Sequence, residues 1–169
     1  YAEERVIVNP LRIKPEYLYE LEHNLLLYYT ATSRFSSTII EAQQERVKQG
    51  HTSSIEATHR LKEEAFRMKE ALLKGRIEEI GEILHTGFQY KRKLAEGITT
   101  PLIEEIYETA LQAGATGGKI SGAGGGGFMV FYCPGTTRYA VEAALSKFEG
   151  RVFPYHFVPE GLTTWTVKR

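Results

Sequence analysis

The apolar residues of this chain change their spacing twice, and each change marks a change of structure. Across residues 1–33 they fall in short clusters. Val6, Ile7 and Val8 stop at Asn9-Pro10 and read as a brief β-like run. Pro15 stands at the start of Glu16 to His23, where a helix tolerates proline because its first turn needs no N–H partner. Leu25 to Thr30 (LLLYYT) is short, apolar and aromatic, the pattern of a buried strand.

From residue 34 to residue 113 the spacing becomes helical. Thr38 to Gln49 stops at Gly50, a natural left-handed terminator. Ser53-Ser54-Ile55-Glu56 has the spacing of a capping box, in which the Ser53 hydroxyl and the Glu56 carboxylate serve each other's backbone amides. Ile55, Thr58, Leu61, Ala65, Met68 and Leu72 then form one stripe, closed by Lys74-Gly75. Ile77, Ile80, Leu84, Phe88, Lys91 and Leu94 form a second, which predicts that Lys91 points inward. Thr100-Pro101 opens a third helix, with Ile103, Ile106, Ala110 and Ala113 on one face.

The last third is β-like and rich in glycine. Gly117 to Ile120 and Phe128 to Cys133 read as strands around the loop Ser121 to Gly127. Thr137 to Phe148 reads as a helix, and Val152 to Val158 and Leu162 to Val167 as strands around Pro159-Glu160-Gly161. The sum is an α+β fold: a mostly antiparallel sheet of four to five strands with helices packed on one side. One domain spans 1–169, with 1–33 readable as the tail of a preceding one.

Composition narrows the options. Apolar residues make up 42% and charged residues 25%, the proportions of a folded domain. Lys plus Arg (21) balances Asp plus Glu (21), so no net field favours nucleic acid or a membrane surface. The apolar runs Leu25 to Tyr29 and Phe128 to Cys133 are too short to span a bilayer, and Tyr1 to Arg5 lacks the pattern of a signal peptide. A lone cysteine, Cys133, excludes an intramolecular disulfide and suits a reducing, cytoplasmic setting. His23, His51, His59, His85 and His156 are dispersed, so no metal site is expected. The chain starts without methionine, which reads as a processed product or a piece of something longer.

Ser121-Gly122-Ala123-Gly124-Gly125-Gly126-Gly127 holds five glycines in seven residues. Such a loop either turns tightly under a neighbouring helix or presents bare amides to an anion such as phosphate. Gly122, Gly124 and Gly127 fit G-x-G-x-x-G, but strand-forming residues follow where a dinucleotide loop would open a helix. The Gly-Lys-Ser/Thr ending of a Walker loop is absent, as are the downstream motifs of protein kinases. The device is strand, glycine turn, strand.

Gly118-Lys119-Ile120-Ser121-Gly122-Ala123-Gly124-Gly125-Gly126-Gly127-Phe128 resembles the third, C-terminal motif of the GHMP kinases. His85 to Leu94, Ile98-Thr99, Glu105-Ile106-Tyr107, Ala110 and Gly114 to Gly118 narrow the resemblance to the D-glycero-D-manno-heptose 7-phosphate kinase branch. Tyr28-Tyr29-Thr30, Arg34, Ser36-Ser37 and Phe157 to Gly161 fit the same branch, so the likeness covers nearly the whole chain. One departure is Ala31, where the branch usually has glycine after Tyr-Thr. The family's Gly-Leu-Gly-Ser-Ser loop for ATP and its aspartate near the transferred hydroxyl are absent, and would belong to an N-terminal domain preceding Tyr1.

The resemblance implies a ferredoxin-like C-terminal half of a sugar-phosphate kinase. ATP and Mg²⁺ would sit mainly on the N-terminal half, and the sugar phosphate between halves. Ser121, Gly122, Ala123, Gly124, Gly125 and Gly126 would form the phosphate-facing loop, with no catalytic residue of its own in this chain. Lys91, Lys93 and Arg34 are the candidates for the phosphate already on the substrate. Lys91 to Lys93 could equally be a solvated helix end, and Arg34 a surface ion pair. His85 and Cys133 read as structural. Two alternatives stay open, another GHMP-type sugar kinase or a stand-alone metabolite-binding module, and a homodimer is among the open assembly states.

Overall fold

The computed structural model describes residues 8–32 and 36–167. Its sheet runs β2-β3-β1-β4, with every pairing antiparallel. The strands are β1 (Leu25–Tyr29), β2 (Gly117–Ile120), β3 (Phe128–Tyr132) and β4 (Arg151–Phe153). Helices α1 (Pro15–Asn24), α2 (Ser36–Lys48), α3 (Thr52–Lys74), α4 (Ile80–Arg92), α5 (Pro101–Gln112) and α6 (Thr137–Leu145) complete the elements used below. Long helical connections separate β1 from β2, and α6 separates β3 from β4, which is the split βαβ plan expected of a ferredoxin-like fold.

Alternation along the central strands decides which face is covered. Leu26, Tyr28, Ile120, Met129 and Phe131 share a buried cluster with Ile103, Ile106 and Tyr107 of α5 and Val141 and Leu145 of α6. The opposite face, with Leu27, Tyr29, Phe128, Val130 and Phe153, is half-buried. A second cluster joins Tyr132 to Leu21 of α1, Ala71 of α3 and Ile80 and Ile83 of α4. Both follow from period-two strands meeting helices of period 3.6.

Local signals fix several boundaries. Pro15 lies in the first turn of α1, and Thr100 caps α5 by accepting from the Ile103 amide. Gly75 ends α3 in the left-handed conformation. Ala31 has a φ of 57°, so the alanine occupies a conformation that favours glycine. The departure at that position leaves a left-handed turn in place.

Three expectations need correction. No capping box forms at Ser53: α3 starts at Thr52, with His51 before it and no side-chain cap. Ser54 is instead buried inside the helix, and its hydroxyl reaches the carbonyl of Leu94 at 3.2 Å. It serves a carbonyl beyond the C-terminal end of α4, where helical partners run out. The strand foreseen over Val152 to Val158 stops at Phe153, because Pro154 brings no N–H to the ladder. Leu162 to Val167 forms no strand, and Leu162 is 97% exposed. The run Val6 to Val8 lies outside the described residues except for Val8, which is exposed coil. No helix among the described residues is long and apolar enough to cross a membrane.

Candidate functional site

The glycine loop joins β2 to β3, and two fixed backbones brace it. The Gly125 amide donates to the Ile98 carbonyl at 2.8 Å, and the Gly127 amide to the Thr32 carbonyl at 2.7 Å. Thr30 closes the same corner: its amide and its hydroxyl both donate to the Gly127 carbonyl, each at 2.9 Å. A Cβ on Gly124 would lie 2.8 Å from the Cα and carbonyl oxygen of Ile98, and one on Gly126 would lie 2.7 Å from the Thr32 carbonyl oxygen. Close approach of neighbouring backbone therefore accounts for part of the glycine content. Sequence spacing gave no sign of Ile98 or Thr32 as anchors, since each acts through its carbonyl.

The other end of the loop is open. Ser121 and Gly122 are exposed and Ala123 is half-buried, whereas Gly124 and Gly125 are buried. Among the described residues, the amides of Gly122, Ala123 and Gly124 donate to no acceptor of the chain. Backbone donors left free beside a cationic group are the chemistry of an anion site.

The structure separates the three cations Lys91, Arg92 and Lys93. The Arg92 guanidinium stacks over Phe88 at 4.5 Å and Tyr107 at 5.0 Å, and its Nη2 lies 2.8 Å from Glu104. It belongs to the core packing. Lys93 is exposed, its ammonium 5.3 Å above the Tyr90 ring. Lys91 does point inward, and donates to the carbonyls of Ile120, at 3.5 Å, and Gly122 at the start of the loop. Arg34 lies outside the described residues.

Lys91 reaches the loop along a cleft of about 220 Å³ between α3, α4 and β2. Leu61, Ala65, Met68 and Phe88 line it, and Lys119 shares its rim. Burial, reinforced by the like charge of Lys119, pushes the Lys91 ammonium down from 10.5 to about 8. The folded chain thus holds this proton less tightly than the unfolded chain. Its charge opposes folding below pH 8, and that opposition fades between about pH 8 and 10.5. Lys91→Met is expected to gain stability over the parent at pH 7 and to lose most of that gain by pH 10. Urea unfolding at both values checks this, and an equal gain at both would contradict it.

His85 Nδ1 lies 2.7 Å from the Tyr107 hydroxyl, inside the helical layer. Burial pushes Tyr107 up to about 12. The same cause raises the Cys133 thiol to about 12, so it stays a protonated core residue. His85 and Cys133 thus sit in structural surroundings.

Residues 68–151 match the family described as GHMP kinases C terminal. This chain carries a GHMP kinase C-terminal domain. The D-glycero-alpha-D-manno-heptose 7-phosphate kinase of Campylobacter jejuni is 39% identical over 99% of this chain and 49% of its own length. The crystal structure of a D-glycero-D-manno-heptose 1-phosphate kinase from Bacteroides thetaiotaomicron superposes with a TM-score of 0.67 at 31% identity, covering 98% of this chain and 43% of that one. Leishmania major mevalonate kinase, solved with R-mevalonate, shares the fold at a TM-score of 0.67 and 21% identity over 73% of this chain and 37% of that one. The chain thus spans about half the length of the heptose kinases it resembles.

Proposed function

We propose that this chain is the C-terminal half of an ATP-dependent kinase that phosphorylates a heptose 7-phosphate, at the anomeric hydroxyl, for nucleotide-activated heptose synthesis. The observation that carries this reading is a likeness to a heptose 7-phosphate kinase running through 99% of the chain. Two observations support a phosphate place at this loop: among the described residues the amides of Gly122 to Gly124 donate to no acceptor of the chain, and Lys91 donates to the Gly122 carbonyl.

Phosphoryl transfer asks a protein mainly for positioning and for neutralisation of phosphate charge. The loop amides supply donors that need no reorganisation when charge develops. Lys119, exposed on β2, neutralises the phosphate already on the sugar, and Lys93 and Arg34 are the further candidates for that phosphate. ATP supplies the γ-phosphoryl group. Amides and ammonium groups around the loop suit its phosphates, and Mg²⁺ takes oxygen ligands. In this reading the metal and the nucleotide are held mainly by the other half of the protein, and this half alone is inactive.

A coupled ADP-release screen of the full-length protein against heptose, hexose and mevalonate-type phosphates tests the proposal. Turnover is expected with heptose 7-phosphate and none with residues 1–169 alone. Lys119→Ala is expected to raise the KM for the sugar phosphate about tenfold, the loss of one charge-assisted contact. Turnover by residues 1–169, or failure of the full-length protein on every heptose phosphate, would overturn it.

A further inference from the structure

Lys91 stands on the stripe of α4 whose preceding members, Ile80, Leu84 and Phe88, are apolar. A methionine or leucine would suit the cleft better, because an ammonium there loses water and faces Lys119. It has no compensating ion pair among the described residues. Glu64, which lines the same cleft from α3, is held by Arg67 at 3.1 Å. The partners of Lys91 are two carbonyls of one turn, Ile120 and Gly122.

We propose that Lys91 is a positioning residue: by holding those two carbonyls it fixes the first turn of the glycine loop and aims its amides. The physical link is the trans peptide, in which C=O and the following N–H point in opposite directions. Holding the Ile120 carbonyl toward α4 turns the Ser121 amide the other way, and that amide donates to the Phe128 carbonyl at 2.8 Å. Holding the Gly122 carbonyl likewise turns the Ala123 amide away from α4. No neighbouring atom crowds the Cβ position of Gly122, where an added Cβ would meet nothing within 4 Å. That the amides face a phosphate rests on the kinase reading above; the cross-link itself does not.

The test uses full-length protein labelled with ¹⁵N at glycine and alanine, as the parent, Lys91→Met, Lys91→Arg and Lys119→Met. Lys119 from β2 and Glu64 from α3 are the charged side chains that face Lys91 across the cleft. In the parent, the Gly122 and Ala123 amide resonances should move with a midpoint near pH 8. Lys91→Met should flatten that response, and Lys119→Met should shift it to higher pH without removing it. Lys91→Met should also lower kcat about 100-fold, the scale of a misplaced reacting group, with KM for the sugar phosphate changed less than about threefold. Its melting temperature should not fall, and Lys91→Arg should recover part of kcat.

An unchanged amide titration in Lys91→Met would overturn the proposal. So would unchanged kcat, or a melting temperature that falls together with activity. A rise in KM alone would assign Lys91 to direct contact with the acceptor phosphate instead. A parent protein that phosphorylates no sugar phosphate, but whose amide titration still vanishes in Lys91→Met, would remove the kinase reading and leave the cross-link standing.

Discussion

Gly124→Val is expected to lower turnover of the full-length protein more than about 100-fold while leaving its secondary structure intact. Two costs meet at that residue. Its φ is +125°, a region that side chains rarely adopt, which adds about 1–3 kcal/mol of backbone strain. Its Cβ would press on the Ile98 backbone at 2.8 Å, and overpacking of that kind costs about 1–3 kcal/mol more. The loop is the element that yields. It is held to Ile98 by the adjacent Gly125 amide, whereas the sheet and α5 pack together elsewhere. Lifting the loop off Ile98 displaces the amides proposed to face phosphate, so turnover is expected to fail before the core does. ADP release measured beside far-ultraviolet circular dichroism decides the matter. Full turnover from a folded Gly124→Val protein would remove the loop from the mechanism.

Gly117→Val should do the reverse and destroy the domain rather than the site. Gly117 is buried in β2, where α4 passes so close that a Cβ would land on the Gly81 carbonyl and lie 3.0 Å from the His85 Cβ. The opposing surface is helix backbone, which cannot rotate out of the way. A domain with a total stability of about 5–15 kcal/mol has little reserve against prising a helix from its sheet. The expected result is loss of the cooperative thermal transition, with protein recovered mainly as aggregate. A melting curve superimposable on the parent's would show that α4 and β2 are not in this contact.

The sequence carried the local structure well, for reasons visible at single residues. Thr100-Pro101 starts α5 and Gly75 stops α3 because caps act within one turn of the chain. LLLYY and FMVFY became the paired central strands β1 and β3 because short runs apolar at every position can bury one face and half-bury the other. The candidate site was legible in part. The glycine run and the inward aim of Lys91 both follow from spacing. The different settings of Lys91, Arg92 and Lys93 do not, since consecutive helix positions point in different directions and meet different neighbours.

By itself, then, the sequence determined most of the helices and the central strands, that a glycine-rich loop joins two strands, and that the chain is a GHMP-type domain. Tertiary structure alone decided that Ser54 serves Leu94 rather than its own helix end, that Ile98 and Thr32 brace the loop, and that Lys91 closes on Gly122. The division has one physical cause. Caps, breakers and periodicity act over a few residues, so composition in a short window encodes them. Ser54 and Leu94 are 40 positions apart, and Lys91 and Gly122 are 31, so their contacts exist only once helices and sheet have packed.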